Sequence, residues 1–121
     1  MKLYFYILDR DREYNPETKT LGDYVFKIRT EECEVVEKPK TYKAVTRFPD
    51  RIYIGYVRKE DIGIISGNST PYIALTVPNY QFVKDKFLEK YNVEINRLKK
   101  AIAMYEDKIA AIENYKEDAK C

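Results

Sequence analysis

The chain has 121 residues, with 22 Lys plus Arg against 20 Asp plus Glu, a net charge of +2 and no His. That length suits one compact domain, or one domain with a protruding helix. The near-neutral balance argues against a protein that coats nucleic acid, and the missing His removes the commonest general base, metal ligand and pH switch.

Lys2 to Leu8 (KLYFYIL) reads as a strand that is apolar on both faces, so both faces need cover. Asp9 to Asp23 reads as a polar loop containing Pro16 and Gly22. Tyr24 to Thr30 forms a second strand, and Cys33 to Val36 a short edge strand. Thr41 to Phe48 alternates as a further strand, closed by the turn signal Pro49-Asp50. Arg51 to Val57 (RIYIGYV) follows, with Gly55 marking a bulge or a close backbone approach. Ile62 to Ile65 is one more short candidate. Ser66-Gly67-Asn68 is a turn, and Tyr72 to Val77 is the last strand. Strands at this spacing predict an antiparallel meander of five to six strands over residues 1–78.

Pro78 ends the sheet, and Asn79 is a good N-cap for a helix from about Tyr80 to Tyr115. Unbroken, that helix is on the order of 50 Å long, with Asn92 and Val93 as its weakest interior helix formers and the place for a kink. Phe82, Val83 and Phe87 come before the regular repeat and are expected to pack the helix start. Leu88, Tyr91, Ile95, Leu98, Ile102, Tyr105, Ile109 and Ile112 then recur at spacings of three and four. A narrow apolar stripe of this length needs a facing helix. The predicted fold class is therefore α+β: an antiparallel sheet, then a long helix or kinked helix pair in 79–117 that mediates oligomerisation, all within a single domain, 1–121.

Charge along the helix is uneven. Lys84, Lys86, Lys90, Arg97, Lys99 and Lys100 outnumber Asp85, Glu89 and Glu94 in the first half. Glu106, Asp107, Glu113, Glu117 and Asp118 outnumber Lys108, Lys116 and Lys120 in the second. Matching these halves, and relieving the helix dipole at the acidic end, favours an antiparallel inter-chain pair in a two-fold dimer. Exposed charge pairs contribute only ~0–1 kcal/mol each, so they bias orientation while the apolar stripe drives association.

No phosphate-binding glycine loop and no His-containing metal pattern is present. Ser66 and Ser69 have no His to activate them. The run Asp9-Arg10-Asp11-Arg12-Glu13 lacks the spacing and glycine of a calcium loop and reads as solvated. Glu60-Asp61 has no base or nucleophile beside it. The expectation is a non-enzyme without cofactor or metal. Cys33 and Cys121 are lone thiols that suit a reducing cytosol. The apolar start, Met1 to Leu8, is too short for a signal peptide or a span, so a cytoplasmic location is expected.

Binding chemistry is better represented. Tyr is abundant, 12 residues against 5 Phe and no Trp. A thin, half-buried sheet accounts for that, and so does a surface that stacks planar ligands. Arg47, Phe48, Arg51 and Arg58 fall at the ends of two adjacent predicted strands, as ordinary edge residues or as phosphate and ring contacts. Phe82 and Asn92 lie ten positions apart, about 15 Å along a helix, too far to grip one small ring within one chain. In an antiparallel dimer, Phe82 of one chain could approach the partner helix. The bland readings are core packing for Phe82 and a kink or a solvent-facing site for Asn92.

The layout, the tract VPNYQFVKDKFLEKYNVEINRLKKAI, and the positions of Phe82 and Asn92 resemble a phage family, the smaller of the Thoeris anti-defence sponge proteins. The resemblance implies an N-terminal antiparallel sheet, C-terminal helices that pair between chains, and pockets at the dimer interface. It implies that the protein binds, without cleaving, a cyclic ADP-ribose isomer made by bacterial TIR-domain enzymes, in the cytoplasm of the infected host. It implies a homodimer, or a hexamer built as a trimer of dimers with extra sites for cyclic oligonucleotides. Phe82 would stack the adenine and Asn92 would hydrogen-bond base or ribose. Arg58 and Lys99, chosen from charge and position, would pair with the pyrophosphate. Competing with a receptor requires nanomolar binding, about −12 kcal/mol. The alternatives are an assembly protein that oligomerises through its helix with no small-molecule ligand, and a Tyr-rich surface for single-stranded nucleic acid. The near-neutral charge weakens the latter, so no nucleic-acid polymer and no membrane partner is expected.

Overall fold

A computed structural model describes residues 1–117; Asp118, Lys120 and Cys121, which enter the charge and thiol readings above, lie outside the described residues. The chain is α+β, as its patterning predicts. Strands β1 (Lys2–Asn15), β2 (Thr20–Glu37), β3 (Thr41–Ala44), β4 (Tyr56–Arg58) and β5 (Tyr72–Leu75) form one antiparallel sheet of order β4-β3-β2-β1-β5. One helix, α1 (Tyr80–Glu113), follows. Contacts divide the chain into two compact units, Met1–Lys84 and the part from Asp85 onward.

In the first unit β1 is an inner strand between β2 and β5, and burial on both of its faces explains why KLYFYIL is apolar throughout. Leu3, Phe5 and Ile7 are fully buried and share one face with Val35, Tyr42, Val57, Tyr72 and Ala74. The segment between β3 and β4 closes that face with Phe48 and Ile52, and the rings of Phe5 and Phe48 are 4.9 Å apart. On the other face Tyr6 is buried, paired across the ladder with buried Ile73, and its ring lies 6.5 Å from that of Tyr80. The Tyr6 Oη accepts the Asn79 N–H at 3.1 Å, which fixes the entry into α1. The Asn79 side-chain oxygen accepts the Phe82 N–H, also at 3.1 Å, the capping bond expected of this residue. Val83, one turn into the helix, is fully buried.

Several boundaries differ from expectation. Asp9 to Asp23 is not a loop: β1 continues to Asn15 and pairs with β2 from Thr20, leaving a turn at residues 16–19. Alternating charge and polarity hide a ribbon solvated on both faces. The register shifts between Arg12 and Tyr14, opposite Gly22, and the Arg12 Nε donates to the Gly22 carbonyl at 3.0 Å. The second and third expected strands are one strand, because Glu31 and Glu32 do not break β2; Arg29 and Lys2 pair with them. Thr41 to Phe48 ends as a strand at Ala44, and Arg51 to Val57 keeps only its last two residues in β4. Between them Phe48 and Ile52 turn inward, and Arg51 adopts a left-handed backbone, φ 79°. A Cβ on Gly55 would meet nothing within 4 Å, so no close approach demands that glycine.

Ile62 to Ile65 forms no strand of its own. A single helical turn at Lys59–Asp61 leads to Gly63, whose N–H donates to the Ala74 carbonyl at 2.9 Å. Gly67, φ 90°, is the tip of the turn joining Ser66 to Tyr72, and a Cβ there would lie 2.5 Å from the Thr70 carbonyl oxygen. Only glycine fits that corner.

α1 is one helix, not a helix pair, with Asn92 and Val93 inside it. At 34 residues it is about 51 Å long. Among the described residues no helix is long and apolar enough to cross a membrane.

Candidate functional site

Four residues carry the binding expectation, and they occupy three different settings. Phe82 belongs to the first turn of α1. It is half-buried, and a Cβ placed on Gly63 would lie 3.4 Å from its ring and 4.0 Å from Leu75. Gly63 has φ +79°, the left-handed backbone that favours glycine, and a Cβ there would sit in ordinary van der Waals contact with the ring. Phe82 therefore has a packing role inside the first unit.

Arg58 ends β4 and is exposed, but it is not an open cation. Its Nε donates to the Asp61 carboxylate at 2.9 Å, and its Nη1 lies 3.0 Å from Glu60. The hydrogen bond donated to Asp61, with the Asp61 and Glu60 charges beside it, holds the guanidinium more firmly protonated than usual. An incoming phosphate must share the guanidinium with two carboxylates.

Asn92 and Lys99 are exposed on α1. Seven residues, two turns, separate them, so they share one edge of the helix about 10 Å apart. That edge flanks the apolar stripe directly. The stripe itself is uncovered: its eight residues range from 37% exposed at Tyr91 to 74% at Ile112. Phe82 precedes Asn92 by ten residues on the same helix, and the two side chains do not converge within one chain.

The Arg47, Phe48, Arg51 cluster separates by depth. Phe48 is core. Arg47 and Arg51 stay outside and line a cavity of about 550 Å³ together with Lys43, Thr46, Asp50 and Tyr53. Sequence reasoning marks the arginines and misses Lys43 and Tyr53, since a seven-residue strand was expected where the chain folds over the sheet. The sequence signal that was available is Phe-Pro-Asp-Arg-Ile-Tyr, in which two apolar residues four apart bracket a turn.

The acidic run from Asp9 holds no cation cluster; no group of metal-ligating side chains occurs among the described residues. Asp9 instead pairs with Arg29 at 3.2 Å and with Arg51 at 3.7 Å. On the other face of the ribbon, the guanidinium groups of Arg10 and Arg12 lie 4.9 and 5.2 Å from the Tyr24 ring centre. Comparison of the chain with protein-family models, curated proteins and solved structures finds no match.

Proposed function

We propose that the protein works as a homo-oligomer joined through α1 and binds, without cleaving, a cyclic ADP-ribose isomer, so withdrawing that signal from TIR-dependent defence in the host cytoplasm. The observation that carries the first half is the uncovered stripe from Leu88 to Ile112, at 37 to 74% exposure. Burying one fully exposed apolar side chain contributes roughly 1.5–3 kcal/mol, and each of these partly covered residues supplies a fraction of that against the cost of association. The ligand half rests on the resemblance, with Asn92 and Lys99 on the edge beside that stripe as its polar contacts.

A second reading, an assembly protein with no small-molecule ligand, is favoured by two details. The Phe82 ring already lies against Gly63, and Arg58 is already held by Glu60 and Asp61. Isothermal titration calorimetry with cyclic ADP-ribose isomers separates the two readings. Sequestration gives saturable heat near one ligand per chain, intact ligand on denaturation, and at least tenfold weaker binding for Asn92→Ala with the oligomer unchanged. No heat from any isomer, with a folded oligomer, rejects sequestration and leaves assembly.

A further inference from the structure

The segment between β3 and β4 is built to hold cations still. Phe48 and Ile52 are buried in the core of the sheet, which pins the segment at two points. Three further ties run to the sheet. The Cys33 thiol donates to the Arg47 carbonyl at 3.8 Å, an Arg29 Nη2 donates to the Asp50 carbonyl at 3.0 Å, and Arg51 reaches Asp9. Between these anchors Arg47, Arg51 and Tyr53 are exposed, and Lys43, an exposed residue of β3, also lines the cavity.

Arg51 adopts its left-handed backbone, φ 79°, where glycine would sit without strain. An arginine kept in such a conformation on a cavity wall marks a place where side-chain chemistry offsets backbone cost. Among the described residues neither Lys43 nor Arg47 has a carboxylate within ion-pair distance. Asp50 is the one acid of the lining against three cations, and Asp9 pairs with one of them, Arg51, at 3.7 Å. Tyr53 lines the cavity at 92% exposure, a planar surface with no ring partner among the described residues. The cavity, about 550 Å³, falls within the ~300–1,000 Å³ of small-molecule sites.

We propose that this cavity is a binding site for a nucleoside phosphate, with Lys43, Arg47 and Arg51 on the phosphates and Tyr53 stacked on the base. Guanidinium groups pair bidentately with phosphate, and a tyrosine ring stacks on any base. The site lies wholly within the first unit and needs no second chain, so it does not depend on the cyclic ADP-ribose reading or on the α1 interface.

The test is an amide chemical-shift titration of the full chain with ADP, and separately with adenosine and inorganic phosphate. ADP is expected to shift amides of 43–55 saturably, more tightly than either fragment. Arg51→Gly removes the guanidinium and its tie to Asp9, which keeps Arg29, while relieving the backbone, so its melting temperature should stay close to the parent's as ADP affinity falls at least tenfold. Arg47→Ala should also weaken ADP at least tenfold, its carbonyl still accepting from Cys33. The proposal is overturned if ADP moves no amide in this stretch or if both variants bind ADP like the parent. Adenosine binding as tightly as ADP overturns the role of the cations, and phosphate binding as tightly as ADP overturns the nucleotide assignment. The cyclic ADP-ribose titration can fail while this one succeeds, because the variants here leave α1 untouched.

Discussion

At the residue scale, two side chains outside the candidate ligand contacts make sharp predictions. Asn79 caps α1 with its side chain, accepting the Phe82 N–H, while its own N–H is held by Tyr6. Asn79→Ala should lower unfolding free energy by about 1 kcal/mol in urea at fixed protein concentration, and Asn79→Asp should restore it. An alanine variant as stable as the parent would show that the helix start is held by packing alone. Cys33 is a second case. Burial pushes its thiol pKa up, with the Glu31 charge adding to the shift. The thiolate, which alone reacts, is thus suppressed at neutral pH. Because the folded pKa lies above the unfolded one, the stability linked to this thiol is full below the unfolded value and is lost as pH rises through the folded value. In a Cys121→Ser background, iodoacetamide should label Cys33 more slowly than free cysteine at every pH below the alkaline range, with a midpoint shifted upward. Labelling at the free-cysteine rate at neutral pH contradicts the assignment.

At the element scale, legibility followed burial. The stretch Lys2 to Leu8 was readable because β1 is an inner strand covered on both faces, by the segment between β3 and β4 on one and by the start of α1 on the other, and the resulting apolar run has few alternatives. α1 was readable from one cap and an unbroken three-four repeat, and its observed end at Glu113 falls two residues short of the expected Tyr115. The distal half of the β1–β2 ribbon was not readable. Its hydrogen bonds are satisfied strand to strand, so its side chains need no burial, and Asp9 to Glu13 carries no hydrophobic period to betray it. The segment from Val45 to Gly55 failed for the opposite reason. Phe48 and Ile52 look like strand residues, yet they reach the core from a segment that crosses it, and the backbone reversal at Arg51 occurs in a residue that gives no warning of positive φ. The cationic cavity was half visible, as Arg47 and Arg51, and the ring and lysine beside them needed the fold to be seen. Phe82 and Arg58 show the limit of choosing site residues by type: sequence cannot tell that one ring lies against a glycine or that one guanidinium is answered by the carboxylates two and three residues on.

At the scale of the whole molecule, the open question is how two copies of α1 align, and charge taken position by position reverses the argument from charge taken by halves. Exposed charges separated by more than about 10 Å are screened, so the residues beside the stripe decide. One edge carries Asn92, Lys99, Glu106 and Glu113, and the other Glu94, Ala101 and Lys108. In a parallel pair each residue on the second edge faces the residue five positions further along the partner. Glu94 then meets the partner's Lys99, and Lys108 meets the partner's Glu113. In an antiparallel pair that matches Leu88 to the partner's Ile112 and Leu98 to the partner's Ile102, Glu94 meets the partner's Lys108, but Lys99 faces the partner's Lys99 across the two-fold axis. At ~0–1 kcal/mol per exposed pair the parallel arrangement is modestly preferred. Spin labels on Asn114→Cys and Lys100→Cys, with Cys33 and Cys121 replaced by Ser, distinguish the two by distance. A parallel pair leaves both label pairs within ~20 Å, the helices being about 10 Å apart plus the label tethers. An antiparallel pair keeps the labels at 100 close and separates those at 114 by about 40 Å. The short distance at both sites is expected without ligand, and it gives Lys99 a carboxylate partner in place of a phosphate. The long distance at 114 would place two lysines side by side, an arrangement that calls for an anion between them and strengthens the sequestration reading. A chain that sediments as a monomer at concentrations used for labelling would remove the α1 interface altogether.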